Sequence, residues 1–213
     1  MPKVDIRFRL IGKNVPADHG YHLFSAISEI VPEIHGNRSI GIHLINGRLI
    51  GNRLLALTEH SRLTIRTSIE QIKPLIRLAG KTLRLANHDV QVGTPDTRPL
   101  IPSARLYSRL VIIKGFTEPV GFLEAVHRQL ADMNIQGEPS LVEQSHVAEA
   151  NRRRSTGSRS SYLRRTIRIR DKEIVGFALR VGNLTADESI RLQEEGIGGR
   201  RRFGCGIFIP SRR

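Results

Sequence analysis

The feature that most constrains the fold is an order of strand and helix signals that occurs twice along the chain. A strand, a helix, strands, a helix and a strand follow one another before the proline-rich segment Thr94–Pro102, and again after it. This order is typical of α+β folds built from βαββαβ units. It predicts two tandem ferredoxin-like (RRM-like) domains, residues 1–95 and 104–213, joined by a linker at 96–103 and ending in a glycine-rich loop.

Local signals place the elements of the first half. Val4–Gly12 alternates apolar and charged residues and predicts a strand. Asp18 is predicted to cap the helix that follows. A second helix, residues 68–80, is predicted to begin with a capping box formed by Ser68 and Gln71. Further strands are predicted at 39–47 and 53–57, at 62–67, and as a hairpin at 81–93.

The second half repeats these signals after the proline-rich segment. Its predicted elements are a strand at 105–115, a helix at 119–133, a polar loop at 144–161, a hairpin at 162–182, a helix at 185–196 and a strand at 205–210. The hairpin is predicted to turn at Asp171–Lys172. Thr185 and Glu188 predict a capping box for the last helix, and Gly196 predicts its end.

The charge balance indicates the kind of partner. The 213 residues include 34 basic and 20 acidic side chains, which give a net charge of +14 at pH 7. Such a surface attracts polyanions, and nucleic acid is the partner it favours. Most of the basic residues are arginines, whose planar guanidinium can bind a phosphate through two hydrogen bonds and stack on a base.

Other classes of protein are disfavoured by what the sequence lacks. Cys205 is the single cysteine, so neither an internal disulfide nor a cysteine-rich zinc site can form. No triphosphate-binding loop and no nucleophile-elbow motif occur, and no cofactor is expected. Without a long apolar run, a membrane protein is not expected and the predicted compartment is the cytoplasm.

Arginines cluster ahead of the second hairpin. Eight of them and no acid lie between Asn151 and Arg170. Because side chains alternate along a strand, the segment presents two different faces. One carries Leu163, Ile167 and Ile169, and the other carries Arg164, Arg168 and Arg170. A solvated face would explain an isolated charge run, but the net charge and the clustering favour a polyanion-binding face.

A glycine-rich loop with three consecutive arginines lies between the last helix and the last strand. It contains Gly196, Gly198, Gly199, Arg200, Arg201, Arg202, Gly204 and Gly206. Glycines permit close backbone approach, and consecutive free amide groups form an anion-binding nest. The alternatives are a phosphate-binding loop and a simple basic turn.

Eight histidines are candidates for acid–base chemistry. His35 follows the first helix in the segment "VPEIHGN", where a loop-borne imidazole suits proton transfer. His19 and His22 lie three residues apart on the helix, but no third ligand for a metal lies nearby, and no metal site is predicted. A surface or core role remains the alternative for each histidine.

Three segments of the sequence resemble a known family of proteins. The segment "LQEEGIGGRRRFGCGIF" resembles the C-terminal glycine-rich loop of the RAMP superfamily of CRISPR-associated proteins. "DHGYHLFSAISEIVPEIHG" resembles the first helix and catalytic loop of the sixth Cas family, the CRISPR repeat-processing endoribonucleases. "SRLTIRTSIEQIKPLIRLAGKTLRL" is similar to a compact subtype first described from myxobacteria.

The resemblance implies an activity and a partner. It implies metal-independent cleavage within the repeat of precursor CRISPR RNA, by attack of a ribose 2′-OH on the adjacent phosphate. The products would be a 2′,3′-cyclic phosphate and a 5′-OH, and the mature guide RNA could stay bound with other Cas proteins in a larger complex. The resemblance fits a biological role either in antiviral defence or in transposition.

The resemblance also implies site residues. His35 matches the family's catalytic histidine and Tyr21 an aromatic residue at the scissile phosphate, with His19 and His43 as substitutes. A lysine that commonly completes the set is absent after His35, and Arg38 or Arg48 would supply its charge. The glycine-rich loop and the face of Arg164, Arg168 and Arg170 would bind the repeat RNA.

Two other functions fit the same sequence. One is a non-catalytic RAMP subunit that binds guide RNA inside an interference complex, which would share the fold and the glycine-rich loop. The other is a structural RNA-binding protein such as a ribosomal component. Cleavage of repeat RNA separates the nuclease from both.

Overall fold

A computed structural model describes residues 2–37, 39–143 and 162–211. The helices are α1 (Gly20–Ile30), α2 (Ile72–Leu75), α3 (Pro119–Asp132) and α4 (Ala186–Glu195). The strands up to the proline-rich segment are β1 (Lys3–Ile11), β2 (Asn14–Pro16), β3 (Gly41–Ile42), β4 (Arg48–Leu49), β5 (Leu54–Ala56), β6 (Arg62–Ser68), β7 (Thr82–Leu85) and β8 (His88–Pro99). Those after it are β9 (Leu106–Val111), β10 (Glu138–Leu141), β11 (Arg164–Ile169), β12 (Lys172–Gly182) and β13 (Ile209–Pro210).

The chain divides into two compact units. Unit 1 comprises residues 1–101, 167–173 and 200–205, and unit 2 comprises 102–166, 174–199 and 206–213. Unit 1 therefore includes the tip of the β11–β12 hairpin and the arginine-containing part of the glycine-rich loop. Two short pieces from the second half of the sequence complete a unit that begins at the N-terminus.

Unit 1 is a ferredoxin-like unit with additions. Its antiparallel sheet has the order β3-β6-β1-β8-β7, which is the ferredoxin-like order extended by β7 at one edge. Strand β1 is central in this sheet, and because its even-numbered residues are apolar, one face of it buries Ile6, Phe8 and Leu10. Helix α1 packs against the sheet through Leu23 and Ile27. A separate three-stranded sheet, β2-β5-β4, carries Arg48 at its exposed edge strand.

Unit 2 has the same topology. The strand order is β10-β12-β9-β13, and α3 and α4 are the two helices of the second βαββαβ unit. The apolar stripe of α3 buries Phe122, Val126 and Leu130 in the core of this unit. The two sheets confirm the predicted α+β fold with two ferredoxin-like units.

Helix-capping predictions had different outcomes. For α4 the predicted capping box is present, since the Thr185 hydroxyl accepts from the Glu188 amide at 3.3 Å and the Glu188 carboxylate accepts from the Thr185 amide at 2.9 Å. The prediction for Asp18 is wrong, because α1 has no side-chain cap and the Asp18 carboxylate accepts from the Arg168 amide instead. The Ser68 capping box is also absent.

The second predicted helix is short for a physical reason. Its one α-helical turn, α2, lies between two 3₁₀ turns, Ile69–Gln71 and Ile76–Leu78. Pro74 lies within α2, and a proline removes one backbone donor and clashes with the preceding turn. The segment is consequently a chain of tight turns rather than a continuous helix.

Strand β8 extends into the segment predicted as a linker. Its residues pair with β1 as far as Pro99, which lies opposite Val4. Prolines are tolerated there because backbone bonds from the β7 side reach β8 only as far as Val92, so among the described residues no second strand pairs with β8 at Pro95 or Pro99. The β11–β12 hairpin turns at Arg170–Asp171, one residue earlier than predicted, with Arg170 at a φ of 54°.

Within the described ranges, no helix has the length and apolar character that crossing a bilayer requires. The predicted polar loop at 144–161, including the "NRRRSTGSRS" segment, lies outside the described residues. Arg38 lies outside them as well.

Candidate active site

A concave pocket of about 540 Å³ lies within unit 1. It is lined by Tyr21, Phe24, Ser25, Ser28, His35, Ile169, Arg170, Asp171, Lys172, Arg200, Arg202 and Phe203. Three separate segments contribute these residues: α1 with the turn that follows it, the tip of the β11–β12 hairpin, and the glycine-rich loop. The pocket thus combines an exposed histidine with several cations and aromatic rings.

Helix α1 supplies one wall through residues at helical spacing. Tyr21, Phe24, Ser25 and Ser28 lie at positions i, i+3, i+4 and i+7, which share one face of a helix. Leu23 and Ile27 point to the core on the opposite side. The amphipathic pattern that buries one face of α1 therefore also aligns the side chains that line the pocket.

His35 lies immediately after α1. A 3₁₀ turn, Pro32–Ile34, follows the helix, and the His35 amide donates to the Pro32 carbonyl at 3.0 Å. The imidazole is exposed and lies 5.8 Å from the Phe24 ring, measured between centroids. An exposed imidazole at the edge of a pocket can reach a substrate atom and exchange a proton.

Tyr21 stands beside Arg170 from the hairpin tip. A side-chain hydrogen bond to Tyr21, together with the favourable charge interaction between them, raises the pKa of Arg170. The Tyr21 ring is 6.2 Å from that of Phe203 in the glycine-rich loop. Tyr21 therefore contacts side chains from both of the pieces that reach unit 1 from the second half of the sequence.

Lys172 is a cation of the pocket that sequence reasoning missed. It directly follows the hairpin turn, in which Arg170 has a positive φ. This tight turn places Asp171 and Lys172 at the pocket. The Asp18 carboxylate accepts from the Arg168 amide at 2.9 Å and fastens this tip to the start of α1. A hairpin turn beside Lys172 was predicted from the sequence. The placement of Lys172 in the same pocket as His35, however, depends on contacts between segments that are distant in the sequence.

The glycine-rich loop does not form the predicted nest of free amides. The amides of its glycines donate to protein acceptors: Gly196 to Leu192 O, Gly198 to Gln129 Oε1, Gly199 to Ile112 O, Gly204 to Arg201 O and Gly206 to Leu110 O. Glycine is required here for geometry, because Gly198 and Gly206 have φ of 74° and 65° and an added Cβ would overlap a backbone carbonyl at each. The loop is a closely packed turn rather than an amide nest.

The arginines of this loop face different surroundings. Arg200 is exposed and lines the pocket, whereas Arg201 is buried. Arg202 lines the pocket but donates its Nη1 hydrogen to the His35 carbonyl at 2.8 Å. Three residues predicted to act together on RNA are thus placed in three distinct environments.

The substitute histidines do not line the pocket. His19 is fully buried, with Nδ1 2.7 Å from the Pro16 carbonyl and Nε2 accepting from the Ile45 amide at 2.8 Å. Both ring nitrogens of His19 therefore interact with backbone groups. This imidazole binds two backbone groups, so it is poorly placed for proton exchange with a substrate.

His43 belongs to a buried charged cluster. Its Nε2 is 3.7 Å from the Asp5 carboxylate, which also accepts two hydrogen bonds from Arg66 at 2.8 and 2.9 Å. Burial lowers the pKa of His43, and the charges of Arg66 and Arg201 add to this effect against the opposing influence of Asp5. Burial alone would raise the pKa of Asp5, but the nearby His43 ring and the hydrogen bonds and charge of Arg66 bring it well below its usual range.

The remaining predicted RNA-binding arginines lie elsewhere. Arg48 is exposed on β4, and Arg168 is exposed on β11. Arg164 forms an ion pair with Glu118 at 3.2 Å and lies 5.4 Å above the Phe177 ring. Among the predicted arginines that the structure describes, it brings Arg170, Arg200 and Arg202 to the pocket.

Among the residues that the structure describes, no group of three His, Cys, Asp or Glu side chains is arranged to hold a metal ion. Cys205 is buried, and burial raises the pKa of its thiol to about 12. The ionisable groups of the pocket are accordingly a histidine, a tyrosine, an aspartate and several cations.

The fold and the site define an α+β protein with two ferredoxin-like units and a basic, aromatic pocket around an exposed histidine. A family model described as "Cas6 Crispr" matches residues 4–213. The CRISPR-associated endonuclease Cas6 of Myxococcus xanthus (strain DK1622) is 33% identical over 207 residues, which span 97% of this chain and 81% of the relative. The chain belongs to the Cas6 family.

Solved structures share the fold at low sequence identity. A CRISPR-associated Cas6 protein has a TM-score of 0.65 at 14% identity and covers 99% of this chain and 100% of its own. A Cas6-related protein from Pyrococcus furiosus has a TM-score of 0.66 at 14% identity, with 99% of both chains covered. A RAMP protein that binds different RNA substrates has a TM-score of 0.63 at 10% identity, with 98% of both chains covered. These structures share the fold, while the family model and the Myxococcus xanthus relative confirm the resemblance to the sixth Cas family stated from the sequence.

Proposed function

We propose that the protein is an endoribonuclease that binds precursor CRISPR RNA and cleaves it within the repeat, producing guide RNA. Its membership of the Cas6 family and its similarity to an endonuclease support this activity. The observation that carries the proposal is the pocket in which exposed His35 stands with Tyr21 and several cations. Such a pocket provides the groups that phosphodiester transfer needs.

The proposed reaction is an internal transesterification. A ribose 2′-OH loses its proton and attacks the adjacent phosphorus, and the bond from phosphorus to the 5′ oxygen of the next nucleotide breaks. The leaving oxygen takes up a proton, so the products are a 2′,3′-cyclic phosphate and a 5′-OH. No external water or oxidant is consumed, and a DNA substrate lacks the attacking group.

The pocket offers a group for proton transfer and several groups for charge stabilisation. His35 is the proton-transfer group, because its imidazole is exposed at the pocket. Tyr21 and the cations Arg170, Lys172 and Arg200 stabilise the extra negative charge that develops on the phosphate oxygens. Lys172 supplies the positive charge of the lysine that is absent after His35 in the sequence. No metal ion takes part in the proposed mechanism.

Basic side chains outside the pocket would hold the rest of the repeat. Arg168 is exposed on the same hairpin as Arg170 and Lys172, so its charge extends the cationic surface beyond the pocket. Arg164 keeps an exposed carboxylate partner, Glu118, that RNA phosphate can displace. The proposed partner is the CRISPR repeat RNA, retained after cleavage as guide RNA.

The test uses the cognate repeat RNA in the presence of EDTA. Wild-type protein should cleave it, His35→Ala should bind it without cleavage, and a substrate that is 2′-deoxy at the scissile position should stay intact. His60→Ala is a matched control, since His60 is exposed on a turn of unit 1 and does not line the pocket. It should cleave as the wild type does.

Three outcomes would contradict the proposal in different ways. Binding without cleavage by the wild type would favour the non-catalytic guide-RNA subunit. A requirement for divalent metal would contradict the proposed mechanism. Undiminished cleavage by His35→Ala would transfer the proton-transfer role away from His35 and leave the rest of the proposal standing.

A further inference from the structure

We propose that Arg202 is a positioning residue that holds the turn bearing His35, and that it does not act as an RNA ligand. The inference rests on the proposed role of His35 in cleavage. From the sequence alone, Arg202 is grouped with Arg200 and Arg201 as a phosphate-binding cation. In the structure its guanidinium is committed to other groups of the protein.

Two aromatic rings fix the Arg202 guanidinium. Its central carbon lies 5.0 Å from the centroid of Phe24 and 5.3 Å from that of Phe203. The two rings are themselves in edge-to-face contact at 5.2 Å, and both side chains are buried. A cation over an aromatic face is attracted by the ring's negative charge density, so the guanidinium has a defined place against both rings.

A hydrogen bond carries this placement to His35. Arg202 Nη1 donates to the His35 carbonyl at 2.8 Å. His35 ends the 3₁₀ turn, where backbone carbonyls lack partners within the turn itself. The Phe24 ring that holds the guanidinium is also 5.8 Å from the His35 ring. Arg202 therefore fixes the His35 backbone directly and shares a neighbour with its imidazole.

A second arginine contacts the same turn but in a weaker setting. Arg77 forms an ion pair with Glu33, and these side chains are 49% and 50% exposed. Exposed ion pairs contribute little because water screens them and both side chains lose freedom. Arg77 therefore provides a matched control: an arginine that contacts the turn of His35 without aromatic packing and without a bond to the His35 backbone.

The arrangement links RNA binding to the position of His35. Arg200 is exposed at the pocket. It immediately precedes the 3₁₀ turn Arg201–Phe203, which contains Arg202. RNA bound at Arg200 thus contacts a segment whose neighbouring side chain holds the His35 carbonyl. The glycine-rich loop has a role in orienting the catalytic turn in addition to any contact with the substrate.

The test separates binding from cleavage. Arg202→Ala should lower the single-turnover cleavage rate by ~10- to 100-fold, because a displacement of about 1 Å in a reacting group can cost that much. The repeat affinity of this variant should stay within about twofold of the wild type, since few phosphate contacts are lost. Arg200→Ala should weaken binding as well as slow cleavage, because Arg200 is exposed at the pocket, and Arg77→Ala should leave both quantities unchanged.

Arg202→Lys distinguishes geometry from charge. Lysine keeps the positive charge but lacks the planar guanidinium that spans both rings and bonds the carbonyl. We expect Arg202→Lys to slow cleavage nearly as much as Arg202→Ala does. A lysine variant with wild-type cleavage would show that charge alone matters, and would overturn the positioning role. The lysine also serves as the test variant if the alanine variant fails to fold.

A readout independent of cleavage completes the experiment. In protein labelled with ¹³C at histidine, the His35 Cε1–H signal is identified by its loss in His35→Ala. This signal should shift or broaden in both Arg202 variants, while the His60 signal stays in place. An unchanged His35 signal would overturn the inference. A changed signal, combined with normal cleavage by His35→Ala, would keep the positioning role and reject only the catalytic one.

Discussion

The buried pair of Asp5 and Arg66 lies at the centre of unit 1, and removing its acidic member should be strongly destabilising. Asp5 is on β1 and Arg66 is opposite it on β6. The guanidinium donates Nε–H to Oδ1 at 2.8 Å and Nη2–H to Oδ2 at 2.9 Å. The Arg66 side chain is 1% exposed and that of Asp5 16% exposed. Asp5→Ala would leave the charge of Arg66 inside the protein without this carboxylate.

The expected magnitude follows from that burial. Breaking a buried ion pair by removing one partner costs ~3–5 kcal/mol, because the remaining charge stays out of water. Asp5 retains some exposure, so the lower part of this range applies, and we expect a loss of about 3 kcal/mol in the free energy of unfolding. For a chain of this size, that corresponds to a decrease in melting temperature of ~6–12 °C.

The assay is urea unfolding of the wild type and three variants, followed by circular dichroism. Asp96→Ala is the matched control, since Asp96 pairs with Arg98 on the same sheet at 3.0 Å but both side chains are largely exposed. It should leave the urea midpoint almost unchanged. The double variant Asp5→Leu, Arg66→Met replaces both charges with apolar groups and should be far more stable than Asp5→Ala.

Two results would refute this reasoning. If Asp5→Ala loses no more stability than Asp96→Ala, the buried charge is not the source of the penalty. If the double variant is as unstable as Asp5→Ala, the loss comes from packing around the two side chains rather than from a buried charge that has lost its carboxylate.

Two further predictions concern pH and backbone geometry. Burial lowers the pKa of His43 below its ordinary value of 6.5. As the pH decreases, the imidazole therefore takes up a proton in the unfolded chain before it does so in the folded protein. The free energy of unfolding should consequently fall as the pH decreases through the range just below 6.5. Melting temperatures measured across that range should fall less steeply in His43→Gln, and an equal slope would contradict the prediction. Gly206→Ala should be destabilised by ~1–3 kcal/mol, because Gly206 has a positive φ and a Cβ would overlap the Ile197 carbonyl. Gly199→Ala, where a Cβ meets nothing within 4 Å, should unfold at the same urea midpoint as the wild type.

Elements specified by neighbouring residues were predictable from the sequence. The alternation in β1 and the capping box of α4 depend on residues a few positions apart, and both are present in the structure. The order of elements was sufficient to predict both ferredoxin-like units. Local patterns were less reliable where a distant partner competed, as for Asp18, whose carboxylate accepts from an amide 150 positions away in the sequence.

The site was predictable only in part. The position of His35 after α1 follows from local sequence and family resemblance, and the structure places it at the pocket. Lys172 was missed because nothing near it in the sequence indicates proximity to His35. The proposed role of Arg202 was hidden for the same reason, since the residues that it contacts, Phe24 and His35, lie far from it in the sequence.

Unit 1 includes residues 167–173 and 200–205 as well as residues 1–101, and this has a consequence for synthesis on the ribosome. Most of the unit emerges early, but Arg170, Lys172 and Arg200 emerge much later. A nascent chain that has folded its first sheet still lacks these side chains of the pocket. Nuclease activity, as proposed, would therefore appear only after both later segments have been synthesised and have joined the unit. The order of residues along the chain would thus delay the proposed cleavage of RNA until residues 200–205 have been made.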